Sequence, residues 1–227
     1  MDKPVNKVAV VVEITSDVVC PWCWVGKKRL DLAIERLKDE FTFHILWKPF
    51  LLIPNVPDEG IPLKDYVLKR FGKSAAEKFT SENSPLHQNA AEVGIVFNNS
   101  RLVLPTKKAH MLLDHASKQG KQHELHDAIF RAYYGDARKI NDDTVLVEIA
   151  ASVGLDPEAA RQALYSSEAE QEYERGIAWA QSEAISGVPH FEIYLKDKPG
   201  PHQELSGAQP VDTFVAVIKR LKTASRM

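Results

Sequence analysis

Cysteine is nearly absent from this chain: its 227 residues carry two, Cys20 and Cys23. Two thiols cannot build a disulfide framework, so a hydrophobic core has to hold the fold, and a chain of this length can bury one. A surplus of either charge is lacking too. The 29 Lys and Arg residues nearly balance the 31 Asp and Glu, giving a formal net charge of −2 and a pI near 6.5. With no basic stripe, the composition gives no reason to expect nucleic acid or an anionic membrane as partner. Long apolar runs are missing as well. The first, Val8 to Val12, is interrupted by Glu13 and is too short to span a bilayer. No small-residue cleavage site follows an adequate apolar region, so no secretory leader is expected. These absences favour a cytoplasmic protein, where structural disulfides are rare. The alternative location is peroxisomal, because Ser225-Arg226-Met227 is similar to a relaxed Ser-Lys-Leu address. Internal repeats and low-complexity segments are also lacking.

What is present falls into three stretches. Val8 to Thr15 is β-branched and apolar, the pattern of a central strand covered on both faces. Cys20 to Glu40 reads as a helix with Trp24, Leu30, Ile34 and Leu37 at helical intervals, and with Lys27, Lys28, Arg29, Glu35 and Arg36 on its surface. Phe41 to Trp47 has strand character again, which makes the start a parallel β-α-β unit. From about Pro62 to Ile185 the patterns are almost all helical, over 63–71, 74–93, 105–119, 121–134, 141–152, 156–165 and 167–185. Asp156-Pro157 has the form of an N-cap followed by proline at the first helical position. At the end, Phe191 to Leu195 and Gln203 to Leu205 flank a turn from Lys196 to Pro201, as in an antiparallel hairpin. Val211 to Leu221 closes the chain as an amphipathic helix.

The two cysteines lie in Cys20-Pro21-Trp22-Cys23, between the first strand and the helix after it. With Cys20 at the N-cap, its sulfur meets unpartnered N–H groups and the positive helix end, which stabilise a thiolate and predict a pKa below that of a free thiol. Pro21 then takes the first helical position, and Cys23 falls one turn later on the same side. Cys20 is the candidate nucleophile and Cys23 the candidate resolving thiol of a disulfide-exchange cycle. A zinc site would need two further ligands, and His123 and His126 are about a hundred residues away in the sequence, so no metal is expected. Val188-Pro189 precedes a strand; the residues alone allow a trans proline or a cis proline whose neighbour Val188 pairs with an extended substrate. Glu13, the odd charge in an apolar strand, is a candidate proton acceptor for Cys23, against the plainer reading that it pairs with Lys48.

Ser16-Asp17-Val18-Val19-Cys20-Pro21-Trp22-Cys23-Trp24-Val25-Gly26 closely resembles the active-site segment of the FrnE-type branch of DsbA-like thioredoxin proteins. The resemblance continues through Trp47 to Phe50, Leu104 to Leu113, Ser186 to Pro189 and Ser206 to Pro210. It implies an α/β thioredoxin fold (β-α-β … β-β-α) with a large all-helical insertion over the active site. The division would be 1–60 and 186–227 for the thioredoxin parts and 61–185 for the insertion. It also implies a cis Val188-Pro189 bond, with Pro21, Trp22, Val188 and Pro189 as substrate-binding residues. Kappa-class glutathione transferases and 2-hydroxychromene-2-carboxylate isomerases share the branch and typically have serine at the first cysteine position. Gly207, Ala208 and Gln209 resemble the place where the kappa class holds the γ-glutamyl end of glutathione. Pro105 and Met111 replace residues often found beside the Ala109-His110 pair, so His110 is read as a core or helix-face histidine. The function implied is a thiol–disulfide oxidoreductase or isomerase; the alternative is a kappa-like glutathione transferase or glutathione-dependent isomerase. No tightly bound cofactor is expected, glutathione being a co-substrate at most. Partners would be proteins, peptides or small molecules with thiols or disulfides, and the chain a monomer or homodimer.

Overall fold

The computed structural model describes residues 7–196 and 202–224. Ser225-Arg226-Met227 and most of the turn expected from Lys196 to Pro201 lie outside them. The chain opens with β1 (Val8–Ser16), α1 (Pro21–Leu37) and β2 (Phe41–Pro49). The helical stretch holds β3 (Ile61–Pro62), α2 (Leu63–Phe71), α3 (Lys73–Thr80), α4 (Pro85–Ala91), β4 (Leu102–Val103), α5 (Lys107–Ser117) and α6 (Gln122–Phe130). α6 runs into a π-helical turn at Arg131–Gly135, followed by α7 (Asp143–Ser152), α8 (Pro157–Ala163) and α9 (Ser167–Ser182). β5 (His190–Leu195), β6 (Gln203–Ser206) and α10 (Val211–Ala224) complete the fold.

The main sheet has the order β2-β1-β5-β6. β1 pairs parallel with β2, from Val8 opposite Phe41 to Ser16 opposite Pro49, and antiparallel with β5. Its β-branched residues suit this central place, where both faces are covered. This is a thioredoxin-like fold with a helical insertion between β2 and β5.

The segment 74–93, read as one helix, is two. Ser84 caps α4 by accepting from the His87 N–H at 3.3 Å, and Pro85 takes its first turn, so the chain restarts there. The Asp156-Pro157 signal holds: Asp156 accepts from the Ala159 N–H at 2.8 Å. The two-residue pairing of β3 with β4 is too short to leave a periodic trace.

Apolar residues gather in two principal cores. Val10, Val12 and Ile14 of β1 pack with Leu30, Ala33 and Leu37 of α1, Phe191 of β5, and Phe214 of α10. The second core joins Val18 and Val19 of the turn, with Trp24 and Val25 at the start of α1, to the helical insertion, including Leu112, Leu125, Phe130 and Leu146. Helix α1 therefore belongs to both. Its expected charged surface is corrected by this packing: Lys27 and Arg29 are buried, because the insertion covers the face that periodicity assigns to water. Among the described residues no helix is long and apolar enough to cross a membrane.

Candidate active site

The corner between β1 and α1 brings both cysteines together as free thiols. Cys20 is the N-cap of α1, with extended backbone (φ −91°, ψ 111°), and Pro21 opens the helix. The Cys20 N–H donates to the Asp17 carbonyl and the Cys23 N–H to the Cys20 carbonyl, each at 3.0 Å, so the motif forms two consecutive tight turns. The Cys20 thiol donates to the Val188 carbonyl at 3.4 Å, across the loop that leads into β5. The Val188-Pro189 bond is cis, as the resemblance implies. Trp22 is half-buried, whereas Cys23 is 1% exposed. Burial pushes the Cys23 thiol well above its ordinary pKa, and Cys20 beside it adds to the rise. The Ser16 hydroxyl and the Asp17 backbone act the other way.

Gly26 lets α1 approach the proline loop. A Cβ there would stand 3.0 Å from Pro189 Cγ and 3.2 Å from Phe191 Cζ. The Gly207-Ala208-Gln209 segment lies against the same wall. The Gly207 N–H donates to the Pro189 carbonyl at 2.8 Å, and Gly207 has φ +78°, a conformation that glycine adopts without strain. Arg29 donates to the Ala208 carbonyl at 2.7 Å, to Asn89 at 2.6 Å and to Glu92 at 2.9 Å, tying α1 and α4 to this loop. Gln209 turns back, its side-chain amide donating to the Ser206 carbonyl at 2.6 Å.

Asp17 is wholly buried and braces the turn before the cysteines: its carboxylate accepts from the N–H groups of Val19 at 3.3 Å and Leu52 at 2.8 Å. His110, on α5, places Nε2 3.5 Å from Asp17 Oδ1 and stacks on Tyr173, so it is a core histidine close to the active-site turn. Glu13, the candidate proton acceptor for Cys23, has the Lys48 partner of the plainer reading. It also accepts from the Tyr194 hydroxyl at 2.6 Å. Burial pushes its pKa up, but these two partners outweigh burial and hold it below the usual carboxylate range. His123 joins Trp47 and Asp31, and His126 stacks on Trp47 with centroids 3.8 Å apart, so both belong to the seam between sheet and insertion.

The corner thus combines Cys20, Cys23, Pro21, Trp22, Val188, Pro189 and Gly207 to Gln209. Sequence reasoning quoted Ser16 and Asp17 without giving them roles, and it missed Arg29. A charged residue on the helix that the cysteine motif opens, with both sides of that helix covered, was the available signal. An arrangement of two buried thiols one turn apart, one of them against a loop wall, can carry dithiol–disulfide exchange.

Comparison with known proteins agrees. The family model described as the DSBA-like thioredoxin domain matches residues 11–219. The uncharacterized protein YwbO of Bacillus subtilis (strain 168) is 27% identical over 190 residues, covering 80% of this chain and 86% of YwbO. Among solved structures, the chain is similar to the probable DsbA oxidoreductase SCO1869 from Streptomyces coelicolor, with a TM-score of 0.82, 29% identity, and 94% and 90% of the two chains covered. It shares its fold with the cytosolic disulfide reductase DsbM from Pseudomonas aeruginosa, with a TM-score of 0.65, 17% identity, and 94% and 99% covered.

Proposed function

The chain belongs to the DSBA-like thioredoxin domain family, and from that premise we propose that it exchanges disulfides through Cys20 and Cys23. The Cys20 thiolate attacks one sulfur of a substrate disulfide. A Cys20–substrate disulfide forms, and the other substrate sulfur leaves as a thiolate that takes up a proton. Cys23 then loses its proton and attacks the Cys20 sulfur, releasing the second substrate thiol and leaving the Cys20–Cys23 disulfide. The protein dithiol has given up two electrons and two protons; the substrate has gained them. Run in reverse, the same steps oxidise a substrate dithiol.

The observation that carries this reading is the pair of free thiols at the start of α1, with Cys20 held at the Val188 carbonyl and Cys23 buried one turn behind. The Val188 backbone is the place for an extended substrate chain to pair. Pro21, Trp22 and Pro189 would flank it. Cys23 is buried, which raises its pKa, and it must lose its proton before it attacks, so release of the mixed disulfide should quicken as pH rises.

Glutathione is the proposed small co-substrate. Its binding place would be Gly207 to Gln209, a loop held against Pro189 and by Arg29. Retention of both cysteines favours oxidoreductase over transferase or isomerase chemistry. Titration calorimetry with millimolar reduced glutathione tests the binding, and absence of heat would remove this part. Cytoplasmic residence remains part of the proposal, and cell fractionation decides it against the peroxisomal alternative.

Two variants test the cycle itself. Cys23→Ser should accumulate mixed disulfides that are visible by mass spectrometry, and Cys20→Ser should lose disulfide reduction and oxidation alike. Full activity in Cys20→Ser would sink the reading. The reduction potential of the pair, measured against glutathione, then gives the direction of electron flow.

A further inference from the structure

A pocket of about 360 Å³ lies between the end of β2 and helices α5, α6 and α9. His110, on its α5 wall, links it to the cysteine corner through Asp17, 3.5 Å away. Helix α9 comes close at Gly176, where a Cβ would stand 2.5 Å from Pro49 Cγ, so helix and strand end form a tightly packed frame. Trp47, Tyr173 and Trp179 give the pocket three aromatic walls. His126 lies at its floor, wholly buried, and neither of its ring nitrogens has a hydrogen-bond partner among the described residues. Buried polar atoms without partners cost the fold free energy, so a ligand that satisfies them gains most at this point.

The chemistry of the floor limits the occupant. Burial keeps the His126 ring neutral by pushing its pKa well below the ordinary value, and His110 and Lys27 add to the fall. A neutral imidazole offers one N–H donor and one acceptor nitrogen. The complementary ligand brings an acceptor and a donor of its own. Charge limits it further. Lys48 pairs with Glu13, Asp114 with Lys118 at 3.1 Å, and Arg175 with Glu172. Lys48 also stands over the Trp179 ring, 3.4 Å from its centroid, which takes the place a ligand cation would use there. An ionic ligand would therefore meet matched charges at the rim and lose its hydration at a floor of neutral groups. Size supplies the rest. Small-molecule sites begin near ~300 Å³, so this pocket suits one or two flat rings, whose faces and edges fit its aromatic walls.

We propose that this pocket is a second binding site, separate from the cysteine corner, for an uncharged aromatic molecule of one or two rings that carries a hydrogen-bond donor and an acceptor. His126 pairs with the polar atoms, and Trp47, Tyr173 and Trp179 enclose the rings. The inference goes beyond the disulfide-exchange reading and does not need Cys20 to react.

The test titrates benzimidazole, a neutral two-ring molecule with one N–H and one acceptor nitrogen, into the full-length protein at neutral pH. The ring-nitrogen NMR signals of His126 report the contact directly. Saturable shifts of those signals are expected, with a dissociation constant below about 1 mM. Benzimidazole-5-carboxylate, the same rings with a charge added, should bind at least about tenfold more weakly. In His126→Leu, and separately in Trp179→Ala at the half-buried wall, affinity for benzimidazole should fall about tenfold. No shift at His126 with millimolar benzimidazole, or unchanged affinity in both variants, would overturn the site. Equal binding of the carboxylate would overturn its assignment to uncharged ligands. The titration does not read disulfide exchange, so either result leaves the Cys20–Cys23 cycle standing.

Discussion

The sheet side and the helical side of this molecule bury their residues differently. The sheet core is mostly aliphatic, as at Val10, Val12 and Ile14, with Phe41, Phe191, Phe214 and, at its edge, Trp47. The helical core is built around aromatic rings: Trp24 lies against Phe97, Phe130 and Tyr134, with centroids 6.2, 6.1 and 5.6 Å away. It also hides polar atoms that have no hydrogen-bond partner among the described residues, such as Trp24 Nε1, the Tyr134 hydroxyl and both ring nitrogens of His126. Such atoms weaken a core in proportion to their desolvation. Both cysteines lie on this less satisfied side. The difference teaches a division of labour. The sheet supplies a rigid wall carrying Pro189, and the helical core supplies the dry surroundings that raise the Cys23 pKa.

The comparison breaks most directly at Trp24, which joins the active-site helix to the insertion. Trp24→Ala should cost about 3–5 kcal/mol, the range for removing a large buried aromatic. Urea unfolding followed by circular dichroism measures it. Because α1 serves both cores, a single cooperative transition with a lower midpoint is expected. A second, unshifted transition would mean that the two cores unfold independently. Cys23 should also become reactive toward thiol reagents under native conditions.

Two residues later the same helix faces the other wall. Gly26→Val places new carbons where Pro189 and the fully buried Phe191 already stand. Overpacking of this kind costs about 1–3 kcal/mol. The damage should be local to the sheet side, displacing the proline loop from Cys20, so disulfide-exchange rates should fall while Trp24 fluorescence stays native. Unchanged stability and rate would show that the proline loop yields without consequence.

Much of this arrangement is legible in the residues, and the part that is not has a common cause. β1 announces itself because its residues are almost all β-branched or apolar, and a central strand needs that. The Cys20 motif is legible because a strand, a cap and a proline specify its backbone locally. Lys27 and Arg29 mislead because a helical period distinguishes one apolar face from the rest, whereas α1 is covered on two sides. Lys27 is neutralised by Asp31 at 2.7 Å and Asp127 at 3.4 Å, the latter far away along the chain. The pocket between β2 and α9 draws on Trp47, His126 and Trp179, which no local pattern connects. Glu13 looked exceptional among apolar neighbours, but its partners Lys48 and Tyr194 come from the flanking strands.

Titration sharpens the comparison on the helical side. Cys23 has a raised pKa in the folded, reduced protein, so the unfolded chain releases this proton first as pH rises. Its contribution to stability is complete below the ordinary thiol value of about 8.5 and is lost above it, by up to ~1.4 kcal/mol per pH unit. Between about pH 8.5 and 10, reduced wild type should lose about 2 kcal/mol more than Cys23→Ala does. Denaturant unfolding at a series of pH values, under reducing conditions, supplies the curve. Parallel curves for the two proteins would place Cys23 in a wetter setting than the helical core provides.

His126 gives the smallest and opposite limb, at the seam where the insertion meets β2. Burial pushes its pKa well below the ordinary value, with His110 and Lys27 adding to the fall. The folded protein keeps the ring neutral while the unfolded chain protonates below about 6.5. Stability is therefore complete above that pH and declines as pH drops toward the folded value, by up to ~1.4 kcal/mol per unit. From about pH 6.5 to 5.5 the loss should be about 1 kcal/mol, since protonation of the unfolded chain is incomplete over much of this interval. His87 is also shifted down, by burial and by Arg101, and adds a weaker share. In His126→Leu the seam keeps an apolar contact for Trp47 but has no proton to take up, so the acid limb should shrink to that of His87. An acid limb of unchanged depth in that variant would show that the pH sensitivity over this interval does not come from the seam.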